Sequence, residues 1–135
     1  MISKVVYKGD LRTEATHLSS GETIITDAPV DNQGKGEAFS PTDLVATALA
    51  SCMLTIMGIV AKRDGIKMEG TTAEVEKIMA SDPRQIREIR LKINFGFPIA
   101  DKDQAKLERA AHTCPVSGSL HKDLNEIVEF IYPHS

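Results

Sequence analysis

Two cysteines carry the chemistry this sequence could perform. Cys52 and Cys114 are its only thiols and lie 62 positions apart. They have no C-x-x-C spacing and no neighbouring ligand cluster of the kind zinc requires. Cys52 falls inside an apolar stretch, where a free cysteine is ordinarily a small core residue. Cys114 directly precedes Pro115, at the start of a predicted short helix, where free amides and the helix dipole favour a thiolate. The pair therefore reads either as redox-active thiols or as core filler. His17, His112, His121 and His134 are scattered, and solvated imidazoles are their default. Ser117 to Ser119 with His121 lack the setting of a nucleophilic serine.

The element that must position Cys52 begins at Ser40-Pro41-Thr42-Asp43. It continues from Leu44 to Ala61 without a charge, a run of 18 residues. Ser40 can cap the first turn, Pro41 suits the first helical position, and Asp43 places negative charge at the positive end of the dipole. Lys62, Arg63 and Asp64 restore charge, and Gly65 can close the helix in the left-handed region. The face carrying Cys52 also holds Val45, Ala48, Leu49, Thr55, Ile56 and Ile59, and the opposite face is apolar too. A helix apolar all round is expected to be buried on every side. A membrane span is the rival reading by length. Thr47, Ser51, Thr55 and the alanines make the run only weakly hydrophobic, which favours a core helix shared between two chains.

The rest of the sequence is that of a single domain over 1–135, large enough to bury about two-thirds of its unfolded surface. Net charge is −3 with the signs mixed, so nothing suggests nucleic acid or a charged tail. The opening MISKVVYKGD has no apolar run of the signal-peptide type, and the expected location is the cytoplasm. Strands are predicted for SKVVYK, for LRTEATHL and, after the turn at Ser19–Glu22, for TIITDA. A polar loop, Pro29–Phe39, leads to the central helix. KMEGTTAEVEKIMA reads as a strand bent at Gly70. Ile89, Leu91, Ile93 and Phe95 alternate with polar residues as a half-buried strand. Asp101–His112 reads as a surface helix, and EIVEFIY as the last strand. The order implies an α+β fold with a largely antiparallel sheet of six strands around a long buried helix. One such sheet cannot cover that helix, so either a second sheet layer or a second subunit must do so, and an intertwined homodimer is the favoured expectation.

FSPTDLVATALASC (39–52) and AAHTCPVSGSLH (111–122), with GDLRTE near the start, resemble the osmotically inducible protein C and organic hydroperoxide resistance (OsmC/Ohr) family. The resemblance spans nearly the whole chain. It implies an OsmC-like intertwined dimer with Cys52 as peroxidatic and Cys114 as resolving thiol. The family's arginine from the N-terminal strands corresponds to Arg12. The glutamate that follows the helix-starting proline has no counterpart: Pro41 precedes Cys52 by the family spacing of 11, and Thr42 stands next. Asp43 is one place later, about 100° around the helix, as in a less characterised branch.

The implied function is thiol-dependent reduction of organic (alkyl or lipid) hydroperoxides in oxidative-stress defence. Arg12 would activate the Cys52 thiolate, Cys114 would close a disulfide, and an external dithiol would reduce it. Leu49 and Ile56 would line the substrate pocket, with Asp43, Thr42 and Glu14 in support and Glu14 and Glu37 the next acids to consider. Thr42→Glu is expected to raise the rate, and Asp43→Asn to change it little. No metal or organic cofactor, nucleic acid or membrane enters this reading. The alternatives are a binding module holding an apolar small molecule in the dimer cleft with little or no turnover, and a stress-related scaffold whose cysteines only fill its core.

Overall fold

Three short strands open the chain, set by their turns. Asp10 and Leu11 both have positive φ, at 53° and 62°, the pattern of a type I′ turn, whose twist matches that of the strands it joins. It links β1 (Ser3–Gly9) to β2 (Arg12–His17), and β3 (Thr23–Asp27) follows the turn around Ser19 and Ser20. The strands pair antiparallel in the order β1-β2-β3, which puts Arg12 opposite Asp27. The structure is a computed structural model and describes residues 1–134. It comprises two compact units, Met1–Val45 and a second beginning at Ala46.

The central helix α1 spans Pro41–Asp64. Its start is a full capping box: the Ser40 N–H donates to Asp43 Oδ2 at 2.9 Å, and the Asp43 N–H donates to Ser40 Oγ at 3.1 Å. Its end is a Schellman closure, with Gly65 at φ 70° and the Ile66 N–H bonded to the Ala61 carbonyl at 2.8 Å.

In the second unit, β4 (Thr72–Ala80) pairs antiparallel with β5 (Gln85–Asn94), and β5 pairs parallel with β6 (Asn125–Ile131). Helices α2 (Asp101–Ala111) and α3 (Pro115–Ser119) form the crossover that a parallel pair requires. Ala46, Leu49, Ala50, Met53, Met57 and Ala61 of α1 are buried with Ile89, Leu91 and Ile93 of β5, Leu107 and Ala111 of α2, and Cys114. Full burial of Leu49, Met53 or Met57 contributes about 1.5–3 kcal/mol each over exposure.

Three expectations change. The six strands form two three-stranded sheets, and β6 runs parallel to its neighbour. The stretch Lys67–Thr71 lies outside β4, because Gly70, at φ 83°, sits in a turn. Within one chain, α1 is covered on one side only, and Val45, Ala48, Ser51, Thr55 and Ile59 remain exposed. By length and composition α1 could also cross a bilayer, but six of its residues are already buried in a protein core.

Candidate active site

Cys114 is fixed by the way α2 ends and α3 begins. The amides of Thr113 and Cys114 still bond back to Ala110 and Ala111. Cys114 then turns extended, with φ −64° and ψ 137°, and Pro115 opens the new helix. Cys114 is its N-cap, and the Ser117 N–H donates to Cys114 Sγ at 3.2 Å. The Ser117 hydroxyl in turn donates to Glu126 Oε1 of β6 at 2.7 Å. Cys114 is 1% exposed, whereas Cys52, on α1, is only partly buried. The two free thiols are near enough to influence one another's ionisation. Burial pushes the Cys114 thiol up and outweighs the Ser117 N–H, while the neighbouring Cys52 adds to the rise. A thiolate favoured at Cys114 by its helix start, the sequence expectation, is thus reversed.

The first unit holds Arg12 in a carboxylate clamp. Its Nε and Nη2 donate to the two oxygens of Asp27 at 2.7 and 2.8 Å, and Nη2 also donates to Glu37 Oε1 at 2.9 Å. The loop delivers Glu37 by folding tightly on the end of β3. A Cβ at Gly34 would lie 1.7 Å from the Ala28 carbonyl oxygen, so only glycine fits there. The Glu37 N–H then donates to Asp27 Oδ2 at 3.1 Å. The Asp27 side chain has no exposed surface, so its charge depends on this pairing. The Arg12 hydrogen bonds hold the Asp27 carboxyl below its ordinary value against the opposing effect of burial, and push the guanidinium higher still.

The other predicted residues fall as follows. Asp43 closes the capping box, and Thr42 Oγ1 lies 3.3 Å from Ser40 Oγ. Glu14 sits between Val6 and Ile25 in the first sheet. Leu49 is fully buried, and Ile56 packs on the edge of the same core. Asp27, Ser117 and Glu126 were missed as site residues. Folding the second hairpin about Ser19 and Ser20 would have placed Asp27 opposite Arg12. Among the described residues, no group of three or more His, Cys, Asp or Glu could hold a metal ion.

Comparison with known proteins places this arrangement. The family described as OsmC-like protein matches residues 34–127, a stretch that includes both cysteines and Glu37. A solved structure from Psychrobacter arcticus 273-4, named for osmotic stress induction and detoxification response, is 58% identical, with a TM-score of 0.94 over 96% of this chain and 95% of that one. An organic hydroperoxide resistance protein OsmC from Legionella pneumophila is 18% identical, with a TM-score of 0.72 over 96% and 95% of the two chains. An organic hydroperoxide resistance protein from Elizabethkingia anophelis is 16% identical, with a TM-score of 0.76 over 98% and 97%. These last two speak for the fold. No curated protein matches the chain. With the family matched across both thiols and a near-identical fold at 58% identity, the chain belongs to the OsmC-like protein family.

Proposed function

We propose that this protein reduces organic hydroperoxides in the cytoplasm by a two-cysteine cycle, as a homodimer. The observation that carries the reading is that the fold brings the two free thiols near enough to influence one another although 62 residues separate them in sequence. The names of the Legionella and Elizabethkingia relatives agree with it. The Cys52 thiolate attacks the distal peroxide oxygen; the O–O bond breaks, the alcohol leaves with a proton from solvent, and Cys52 becomes a sulfenic acid. Cys114 then attacks the Cys52 sulfur, forming the disulfide and releasing water. An external dithiol restores both thiols by exchange. Cys114, buried and held protonated, is a poor peroxide nucleophile, which leaves the first step to Cys52. Arg12, assigned by the resemblance to activating Cys52, is preorganised by Asp27 and Glu37. Ile56, one turn beyond Cys52 and only partly buried, favours an alkyl substrate at about 0.8 kcal/mol per buried CH₂, whereas Leu49 lies wholly inside the core and offers a substrate no surface.

Treatment with cumene hydroperoxide followed by peptide mapping tests the cycle. A Cys52–Cys114 cross-link is expected. Sulfinic or sulfonic acid at Cys52 with Cys114 untouched would overturn it. Thr42, standing where hydroperoxidase members have glutamate, favours a second reading as a module that binds an apolar small molecule. Absence of turnover together with saturable binding of such a molecule would establish that reading instead.

A further inference from the structure

Helix α3 has only five residues, too few to hold its own first turn against the cost of helix nucleation. Something outside it must fix the turn on which Cys114 sits. Beside the packing of Val116 and Leu120 on the core, the polar contact that does so is the Ser117 hydroxyl on the Glu126 carboxylate, 2.7 Å long and part-buried. Ser117 uses its other donor, the backbone N–H, on Cys114 Sγ at 3.2 Å. Glu126 is in turn fixed by β6, where it lies beside Ile89 in the parallel register. The sheet thus reaches the sulfur through one charge-assisted bond and one amide.

We infer that Ser117 and Glu126 are positioning residues for the second step of the cycle, aiming Cys114 Sγ at the Cys52 sulfur when the disulfide closes. The inference rests on the two-cysteine reading for its place in turnover but not for its chemistry, since any two-electron thiol oxidant requires the same closure. In that step Cys114 loses its proton, the S–S bond forms, and the group on the Cys52 sulfur departs, as water after a hydroperoxide or as the hydrazine after diamide. Neither residue touches the peroxide, so the first step should not depend on them.

Rapid quench with alkylation and mass spectrometry resolves the two steps with cumene hydroperoxide, and separately with diamide. Ser117→Ala and Glu126→Ala should slow disulfide closure about tenfold with both oxidants, the loss expected for one charge-assisted bond. Oxidation of Cys52 by cumene hydroperoxide should keep its wild-type rate, and Cys52 sulfinic acid should accumulate. Ser117→Thr keeps a hydroxyl and Glu126→Gln keeps an acceptor, and both should stay near wild type. Wild-type closure in both alanine variants would overturn the inference. So would equal slowing of both steps with a lowered melting temperature, the mark of a merely structural role. If the wild type ignores cumene hydroperoxide but the diamide closure still slows in the alanine variants, the peroxidase reading fails and the positioning role stands.

Discussion

Cys52 and Cys114 differ in exposure and in the environment of their sulfurs, and that difference can be measured. Cys114 is sealed in the core and held protonated by burial, whereas Cys52 is partly open. Iodoacetamide at mildly alkaline pH should therefore label Cys52 well before Cys114 in the reduced protein, read by mass spectrometry; the reverse order would contradict the described site. Asp27 gives a second test. Its carboxyl is held below the ordinary value, so the stability it contributes is complete above about pH 4, the unfolded value, and is lost as pH falls through the lowered one. Asp27→Asn should lower the melting temperature at neutral pH, and its deficit relative to wild type should shrink on acidification below about pH 4. Arg12 already has a bidentate and a second carboxylate partner, so Thr42→Glu has little to restore. No increase in rate is expected from it, in place of the gain that the sequence alone suggested.

The individual elements were largely legible in the sequence. The alternation at Ile89, Leu91 and Ile93 marked β5, and the Ser40-Pro41-Thr42-Asp43 signature marked the start of α1, because periodicity and caps are local properties. Ser40→Ala removes one half of the capping box and should cost about 1 kcal/mol, measurable as a lower midpoint in urea with an unchanged slope. The direction of β6 was not legible, since EIVEFIY carries the same alternation whichever way it lies beside β5. The Arg12–Asp27 pair was obscured for a related reason. Asp27 reads as the end of a strand before a loop, and only the hairpin register reveals what it faces. Ser117 and Glu126 act across nine positions and two elements, a pairing that no local pattern announces.

At the scale of the whole molecule, the exposed apolar surface is what calls for a partner. In the first unit Val5, Tyr7 and Ile24 are each more than half exposed, and so is Ile59 on α1. Val5 and Ile24 flank Ala15 across the first sheet, and soluble monomers rarely leave large contiguous apolar patches in water. The protein should run as a dimer in light scattering at micromolar concentration, at twice the chain mass, and Ile59→Lys should shift it toward monomer. A monodisperse wild-type monomer would refute the dimer. The parallel join between β5 and β6 has a further consequence, for the order of assembly. Cys114 lies in the crossover, and the brace on its helix comes from β6, which is itself held only once it pairs with β5, Glu126 lying beside Ile89. Such contacts form late, after the closure entropy of the intervening loop has been met. A chain emerging from the ribosome would hold Cys52 in its helix well before Cys114 had a fixed place. Its thiols would stay apart until Glu126 had docked, so any pairing between them would wait until β6 had been made.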